Sequence, residues 1–556
     1  MRLRGLIYSL LLAACMFARQ PVHSKNAMVV AQEPLAADVG VAVLKAGGNA
    51  VDAAVAVGFA LAVTHPTAGN IGGGGFMLVR MADGRTAFVD FREKAPAKST
   101  RNMYLGPDGK VTKDSLVGWR ASGVPGSVRG FELAHKKFGH KAWAELVEPA
   151  VKLASDGFPV PYSLSQALQN KLTRDRLAMF PDSKRTFLGV GFGDKLVQSD
   201  LAETLKRIRD RGASDFYEGE TAKKLAAAME ANGGTITLAD LKNYQAVERA
   251  PLRGRYRDFD VITSPPPSAG GVGFLQMFGM LEGSGYEKGG AGSASSVHYV
   301  AEVMRRFYAD RSEYFGDPDF FKVPIPKLLD PRYIASRRST IDPQHATSSE
   351  HIRPGKLSGY ESTETTHYNV VDSEGNAVAV TYTLNGGFGS GVTAPGLGFL
   401  LNNEMDDFAA KPGEENMFHL IQGEANAIRS GKRPLSSMTP TILLRGGKLY
   451  MVIGAPGGGR IINGVFQVML NVVDFHMNMQ EAIDFPRFHH QWMPDELYLE
   501  KGFSPDTIAL LRAMGHKIAA YDARSPEIAR VEAILNDGGW LQGASDGRGN
   551  GKAEGY

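Results

Sequence analysis

Hydrophobic and polar positions follow the helical period of about 3.6 residues over long parts of the chain. Between about residues 130 and 315, this spacing predicts helices at Ala142–Ser155, Ser163–Asp175, Leu201–Arg211, Thr221–Asn232 and Ser295–Asp310. An earlier stretch, 34–65, is rich in Ala, Val and Gly. Because Asp38, Lys45 and Asp52 interrupt it, we expect two closely packed buried helices there rather than a membrane span.

Alternating segments of strand character begin after four consecutive glycines. Met77–Arg80 and Thr86–Asp90 flank an Asp-Gly turn and predict a hairpin. The preceding Gly72–Gly75 run lacks the Lys-Ser/Thr pair and the following helix of a phosphate-binding loop. We therefore expect these glycines to serve tight backbone packing against a neighbouring layer.

A second hairpin is predicted on either side of a turn whose midpoint is Glu374. Symmetric pairing about that midpoint places Thr365 opposite Thr383, with their Cβ atoms about 4.5–5.5 Å apart. Asn385, two residues further on, would point to the same face. On periodicity alone, an ordinary pair of sheet threonines is the simpler interpretation.

A glycine loop joins a further strand to a helix. Strands are expected at Thr441–Leu444 and Leu449–Ile453, and Gly457-Gly458-Gly459 leads from the second strand into a helix at about Arg460–Val473. Such a loop exposes backbone N–H groups at the positive end of a helix dipole, where an anion or a developing oxyanion is stabilised. A tight turn is the commoner explanation of the pattern.

Composition narrows the class of protein. The 556 residues include 62 Lys or Arg and 59 Asp or Glu, which does not indicate a nucleic-acid partner. With 43% hydrophobic residues the chain has the composition of a globular protein. The single cysteine, Cys15, excludes a disulfide framework and a Cys-based metal site.

The N-terminal segment has the pattern of an export signal. Two arginines precede a run of about ten apolar residues, which is too short for a stable membrane anchor. One interpretation places cleavage before Lys25, for example after Ser24. The other places it before Cys15, within Leu12-Ala-Ala-Cys15, a pattern similar to a lipobox, with a lipid on the cysteine. We therefore expect a periplasmic or secreted protein, with a lipid-anchored form as the alternative.

Several long motifs, in order, closely resemble those of bacterial γ-glutamyltransferases, and the resemblance runs from about Met28 to Tyr556. They are Gly47–Ala56, Thr64–Gly75, Asp90-Phe-Arg92-Glu, Thr365-Thr-His-Tyr, Asn402–Phe408, Arg433–Met438, Pro456–Gly458 and Pro486–Gln491.

This resemblance implies an α+β fold of the N-terminal-nucleophile hydrolase type. Two sheets lie between helical layers, an αββα sandwich formed jointly by two subunits cut from one precursor. Matching positions place the cut between Glu364 and Thr365. The chain would then divide into a signal segment (1–24), a large subunit (25–364) and a small catalytic subunit (365–556). Scission frees an α-amine on Thr365 with an ordinary pKa of about 7.7–8.0, suited to a general base.

The resemblance also implies the site residues. Thr365 is the nucleophile, Thr383 orients it, and Gly457 and Gly458 form the oxyanion hole. Two further sets hold the zwitterionic head of a γ-glutamyl substrate such as glutathione. The carboxylate set is Arg92, Ser436 and Ser437, and the ammonium set is Asn385, Glu404 and Asp407. The acyl group passes to water, an amino acid or a peptide.

No cofactor or metal is expected, because no nucleotide or flavin fingerprint is present and adjacent His489 and His490 diverge on a strand. His367 and the pair Asp406-Asp407 are likewise not expected to act as a catalytic base or as paired catalytic carboxylates.

Two positions depart from common family patterns: Glu404 stands where Gln is frequent, and Phe418 replaces a frequent Tyr in the expected lid, Pro412–Asn426. The loss of that hydroxyl bears on lid closure. Two alternative functions are a glutaryl-cephalosporin acylase, whose substrate lacks the α-ammonium, and an exported binding protein without turnover.

Overall fold

The computed structural model describes residues 19–352, 365–412, 423–519 and 527–556. Cys15, Glu364 and Phe418 lie outside these ranges, so the predictions that concern them are not addressed by the structure. Within the described ranges, no helix combines the length and apolar character needed to cross a membrane.

Two seven-stranded antiparallel sheets form the centre of the molecule. The first sheet has the order Val22–Ser24, Trp540–Ser545, Glu532–Asp537, Lys448–Gly454, Thr441–Arg445, Phe259–Thr263 and Leu252–Tyr256. The second has the order Lys552–Gly555, Met28–Ala31, Thr366–Val371, Ala377–Thr383, Gly74–Arg80, Thr86–Asp90 and Val247–Arg249. Short two-stranded pairs join Phe158–Pro159 to Lys195–Leu196 and Phe488–His489 to Tyr498–Leu499.

Helices cover the outer faces of both sheets. In the first half of the chain they are Pro34–Lys45, Ala50–Thr64, Ser127–Phe138, Trp143–Asp156, Tyr162–Gln169, Lys171–Ala178, Pro181–Phe187, Ser199–Arg211, Ala213–Glu218, Glu220–Ala231 and Leu238–Asn243. In the second half they are Gly270–Leu281, Ala294–Tyr314, Ile325–Leu328, Pro331–Arg338, Arg460–Val473, Met479–Asp484 and Pro505–Ala513.

The second sheet is buried on both faces, as a middle layer requires. Val29 and Ala31 pack with the helices of the first half of the chain. Met28 and Val30 instead belong to the core that contains the first sheet and the helices Gly270–Leu281 and Arg460–Val473. Because successive strand residues point to opposite faces, this alternation places one sheet against the other. The expected αββα sandwich is confirmed.

The expected pair of buried helices is present as Pro34–Lys45 and Ala50–Thr64. Asn49 caps the second helix, and the Asp52 carboxylate accepts a hydrogen bond from the Asn49 backbone N–H (2.9 Å). The carboxylate of Asp52 also accepts from the backbone N–H of His140 at 3.0 Å. Asp52, one of the charged residues that argued against a membrane span, is therefore part of a helix cap.

One helix prediction is wrong. The expected helix Ser163–Asp175 is two helices, because Asn170 adopts an extended ψ of 127° between them. Its side-chain oxygen accepts from the backbone N–H groups of Leu172 (3.0 Å) and Thr173 (3.3 Å) and starts the second helix. Asparagine competes for local backbone groups in this way, and hydrophobic spacing does not detect it.

The strands Val247–Arg249, Leu252–Tyr256 and Phe259–Thr263 lie in the section predicted to be mostly helical. The last two form a hairpin at the edge of the first sheet, with Tyr256 opposite Phe259.

The four-glycine run packs tightly, as expected. A Cβ atom added to Gly72 would lie 2.2 Å from the carbonyl oxygen of Leu400, and one added to Gly73 would lie 2.0 Å from that of Thr383. No larger residue fits without moving backbone.

Candidate active site

Thr365 directly precedes the central strand Thr366–Val371 and is 8% exposed. The observed register pairs Thr366 with Tyr382 and Val371 with Ala377, which confirms the symmetric hairpin. The hydroxyl oxygens of Thr365 and Thr383 lie 3.4 Å apart. Thr383 Oγ1 also accepts the backbone N–H of Asn385 at 2.8 Å. Two threonines at one end of a hairpin thus bring their hydroxyl groups together.

The glycine loop lies beside these hydroxyls. Gly457 and Gly458 have φ angles of +136° and +55°, which favour glycine. Gly458 and Gly459 line the same pocket as Thr365, whereas a Cβ on Gly457 would lie 2.9 Å from Cα of Ala529. The predicted strands and helix around the loop are present as Thr441–Arg445, Lys448–Gly454 and Arg460–Val473.

The two sets of residues expected to bind the two charges of a substrate contact each other directly. Arg92, 1% exposed, donates from Nη1 to Glu404 and from Nη2 to Asp407. Its Nη2 also donates to the carbonyl oxygen of Leu435 at 3.1 Å. The expected carboxylate-binding cation is therefore held by the expected ammonium-binding acids.

Burial changes the charge balance of this cluster. It raises the pKa of Glu404 and of Asp407 above their ordinary values, while Arg92 acts in the opposite direction. Burial also raises the pKa of Glu93 to about 7, although Arg92 lies 3.7 Å away. Burial works to lower the pKa of Arg92, but Glu404 and Asp407 outweigh it and raise that pKa. The guanidinium is charged throughout the physiological range.

Asn385, Ser436 and Ser437 line the same pocket, whereas Gly457 does not. Asn385 donates to the carbonyl oxygen of Asn403 at 3.0 Å and has a φ of +73°. Ser436 Oγ accepts the backbone N–H of Met438 at 3.1 Å. Of the residues that we predicted from the sequence, those lining the pocket are Arg92, Thr365, Thr383, Asn385, Glu404, Asp407, Ser436, Ser437 and Gly458.

Among the residues that line the pocket, one charged side chain was missed by the sequence analysis. Arg311 lies on the helix Ala294–Tyr314 and donates from Nη2 to Ser437 Oγ at 2.9 Å. The predicted helix ended at residue 310, one residue before it. Its signal was weak. Arg311 is a charged residue three positions after Tyr308, in a part of the helix where the neighbouring residues are buried.

The other titratable candidates have structural partners. His367 bonds to Thr381 Oγ1 at 2.8 Å and to Asn369 Oδ1 at 3.0 Å, and burial lowers its pKa to about 3. A neutral, bonded imidazole agrees with the structural role expected for it. Asp406 accepts from Ser115 at 2.8 Å, away from the Arg92 ion pair of its neighbour.

The two adjacent histidines also have separate partners. His489 contacts Asn463 at 2.8 Å, and His490 Nε2 lies 3.4 Å from the carboxylate of Asp495. In the ranges that the structure describes, no group of three or more His, Cys, Asp or Glu residues is arranged to hold a metal ion.

Comparison with known proteins now identifies the class. A model of the γ-glutamyltranspeptidase family matches residues 36–556. A glutathione hydrolase proenzyme of Escherichia coli K12 is 50% identical over 533 residues, which are 95% of this chain and 91% of that protein. A solved cephalosporin acylase from Bacillus halodurans is 28% identical with a TM-score of 0.85 and covers 98% of both chains. A solved Helicobacter pylori γ-glutamyltranspeptidase chain is 44% identical with a TM-score of 0.57, covering 58% of this chain and 93% of that one.

The layered fold, with a threonine directly before a central strand, is that of the N-terminal-nucleophile hydrolases. Within this class, the chain belongs to the γ-glutamyltranspeptidase family.

Proposed function

We propose that this protein is a γ-glutamyltransferase that hydrolyses glutathione and transfers its γ-glutamyl group. One observation carries the proposal: a single pocket joins the Thr365 hydroxyl and Gly458 to a cluster of buried charges of both signs. A zwitterionic amino-acid head requires both signs, and its binding would hold the γ-carbonyl beside Thr365 by proximity.

Maturation supplies the catalytic base. The Thr365 hydroxyl attacks the carbonyl carbon of Glu364, the peptide C–N bond breaks, and water opens the resulting ester. The freed α-amine then accepts the proton of the same hydroxyl during catalysis. The cut would leave a large chain that ends at Glu364 and a small chain of residues 365–556. The Helicobacter pylori chain matches 58% of this sequence, close to the share of the proposed large subunit, which supports this division.

Turnover follows from the same groups. Thr365 Oγ bonds to the γ-carbonyl carbon, its proton passes to the α-amine, and the oxyanion is stabilised by backbone N–H groups of the Gly457-Gly458 turn. Collapse breaks the amide C–N bond, and the proton moves to the departing amine. Water or an amino-group acceptor then takes the γ-glutamyl group from the ester. Thr383, 3.4 Å away, would orient the nucleophile.

The second candidate is an acylase, favoured by the likeness to the Bacillus halodurans cephalosporin acylase. The two functions differ in the α-ammonium of the substrate, because a glutaryl group lacks it. Buried Glu404 and partly buried Asp407 favour the amino-acid head, because these two carboxylates share the single positive charge of Arg92 and a glutaryl group would bring no second cation.

Paired substrates test this choice. We expect purified, processed enzyme to hydrolyse γ-glutamyl-p-nitroanilide with a kcat/KM at least about 10²-fold above that for glutaryl-p-nitroanilide, since the glutaryl group lacks the charge-assisted bonds of the α-ammonium, each worth about 1.5–3 kcal/mol. Glu404→Gln replaces one of the two carboxylates with a neutral amide of the same shape. It should reduce the ratio of the two kcat/KM values. Preference for the glutaryl substrate would overturn the proposal, and an uncut protein that binds glutamate without turnover would favour the binding-protein alternative.

Export completes the proposal: the N-terminal segment directs the protein to the periplasm or the exterior, with lipid on Cys15 as the alternative. Val22–Ser24 forms an edge strand with Trp540–Ser545. Because cleavage after Ser24 would remove that strand, this pairing favours a cut upstream of Val22. N-terminal sequencing of the mature large subunit distinguishes these sites, and a lipid on Cys15 would appear in its intact mass.

A further inference from the structure

Ala529 supports the glycine loop from outside the pocket of Thr365. A Cβ atom added to Gly457 would lie 2.9 Å from Cα of Ala529, and one added to Gly464 would lie 2.6 Å from its Cβ. Gly464 belongs to the helix Arg460–Val473, which the loop leads into. The methyl group of Ala529, 2% exposed, therefore fills a notch between the loop and the start of that helix.

The backbone of Ala529 is left-handed, with a φ of +65°. This conformation is unfavourable for a residue with a side chain and persists only where the surroundings impose it. On one side, the backbone N–H of Ile528 donates to Glu500 Oε1 at 3.0 Å. On the other side, that of Val531 donates to Asp546 Oδ2 at 2.8 Å. Two carboxylates thus hold the two ends of the turn at Ala529.

A hydrogen bond joins the same turn directly to the loop. The backbone N–H of Arg530 donates to the carbonyl oxygen of Pro456 at 3.3 Å. Because a peptide bond is planar, this carbonyl and the N–H of Gly457 belong to one rigid group. The bond from Arg530 therefore fixes the direction in which the Gly457 N–H points.

Two arginines fix the carboxylates in turn. Arg548 donates from Nε to Glu500 Oε1 at 2.9 Å and from Nη1 to Asp546 Oδ1 at 3.0 Å. Arg487 donates from Nη2 to Asp546 as well. Burial raises the pKa of Asp546, but Arg487 and Arg548 outweigh it and hold that pKa below its ordinary value. One guanidinium that bridges both carboxylates sets the distance between the two ends of the turn.

We propose that Glu500 and Asp546 are positioning residues, which fix the turn at Ala529 and thereby orient the Gly457 peptide group toward the oxyanion. Ala529 transmits the effect by packing, and Arg530 transmits it by its hydrogen bond. The proposal rests on the proposed function and deepens it, because it assigns a part in catalysis to residues outside the pocket.

Ala529→Gly tests the packing contact. Glycine adopts a positive φ without strain, so the urea midpoint should stay close to that of wild type. We expect kcat for γ-glutamyl-p-nitroanilide to fall about 10- to 100-fold, with less than about a threefold change of KM, because misplaced donors stabilise the oxyanion less. His476→Gly is the control and should leave kcat unchanged. His476 also has a positive φ (+54°), but it is exposed and follows the far end of the helix Arg460–Val473.

Two ligands distinguish misplaced oxyanion donors from general damage to the pocket. L-Glutamate resembles the bound ground state. An analogue with a boronic acid in place of the γ-carboxyl group becomes tetrahedral: Thr365 Oγ bonds to boron, and the hydroxyl proton passes to the α-amine. We expect Ala529→Gly to weaken the boronate about 10- to 100-fold and L-glutamate less than about threefold. Equal weakening of both would mean a merely structural role and would overturn the proposal.

Glu500→Gln tests the route from the carboxylate. It should lower kcat and boronate affinity in the same pattern. Its loss should not multiply with that of Ala529→Gly in the double variant, because both act through one turn. Glu527→Gln, which removes an ion pair with Arg530 at the surface, is the control and should match wild type. An unchanged kcat in Ala529→Gly, or losses that multiply fully, would contradict the proposal.

Failure of the proposed function gives a different result. If wild type cleaves only glutaryl-p-nitroanilide, the γ-glutamyl assignment fails, and kcat with that substrate still tests the role of Ala529. If Ala529→Gly does not mature, Glu500→Gln carries the test with the same two ligands. Failure of both variants to mature would mean a structural role and would overturn the inference. Wild type that cleaves neither substrate would overturn both proposals.

Discussion

Two hydroxyl groups, 3.4 Å apart, define the reacting end of the pocket. Thr383→Val keeps the shape of the side chain but removes the hydroxyl that faces Thr365 and accepts from Asn385. We expect kcat for the γ-glutamyl anilide to fall about 10²-fold with little change of KM, as for other groups that orient a nucleophile. Steady-state kinetics would check this, and an unchanged kcat would remove Thr383 from the mechanism.

Glu93 predicts a specific dependence of stability on pH. Its pKa is raised from an ordinary 4.5 to about 7, mainly by burial. Between these values the folded protein holds a proton that the unfolded chain has released, so the free energy of unfolding falls as pH rises. Glu93→Gln has no ionisable group at this position and does not lose stability in this way. The free energy of unfolding of the variant, relative to that of wild type, should therefore increase from pH 5 to pH 8.

Urea unfolding at both pH values checks the prediction for Glu93. Glu350→Gln, at an exposed position, is the control and should show no pH-dependent difference from wild type. A difference between Glu93→Gln and wild type that is the same at pH 5 and pH 8 would contradict the raised pKa of Glu93.

At the scale of single residues, the sequence predicted contacts within one hairpin better than contacts between distant parts of the chain. The pairing of Thr365 with Thr383 follows from one short hairpin, so counting residues from its turn was sufficient. The contact between Arg311 and Ser437 joins positions 126 residues apart. The Arg92 ion pairs likewise span 312 and 315 residues. Periodicity carries no information about such distant contacts.

Among the elements, the glycine loop couples backbone conformation to chemistry. Gly457 has a φ of +136°, and an added Cβ would meet Ala529 at 2.9 Å. We expect Gly457→Ala to cost about 1–3 kcal/mol of stability and about 10²-fold in kcat by moving the oxyanion donors. Gly447→Ala, with a φ of +76° and open space around it, should lower stability alone. Equal kcat values for both variants would contradict a catalytic loop.

Asp372 fastens the nucleophile hairpin to a helix of the neighbouring layer. Its Oδ1 accepts from the backbone N–H of Asn376 (2.9 Å), and its Oδ2 accepts from that of Ala50 (2.8 Å) at the helix start. Asp372→Ala would leave buried donors unpaired and should lower the free energy of unfolding by about 2–4 kcal/mol. Asp330→Ala removes a helix cap and an ion pair with the exposed Arg332 and should cost about 1 kcal/mol. Chemical denaturation measures both, and equal losses would contradict the fastening role.

Elements with a strong apolar period were predicted well, whereas those set by local polar contacts or sheet position were not. The helix Arg460–Val473 has the predicted bounds. The break at Asn170 depends on a side-chain cap. The hairpin Leu252–Tyr256 and Phe259–Thr263 lies at a sheet edge and depends on pairing with Thr441–Arg445 far along the chain.

At the scale of the molecule, each of the two sheets contains strands from both sides of the proposed cut. In the second sheet, Thr366–Val371 pairs with Met28–Ala31, and Ala377–Thr383 pairs with Gly74–Arg80. Strands from both proposed subunits therefore alternate across one hydrogen-bonded layer. We expect the processed protein to stay together in native size-exclusion chromatography and to unfold in one cooperative transition. Separation into folded subunits without denaturant would contradict a shared core.

The most direct test of the central claim is the intact mass of purified wild type and Thr365→Ala. The wild type should give two fragments, the smaller beginning at Thr365, and the variant should give one uncut chain. Thr366→Ala, one residue further on, is the matched control and should be cut. Two mature fragments from Thr365→Ala would contradict self-cleavage by this hydroxyl, and with it the assignment of Thr365 as the N-terminal nucleophile.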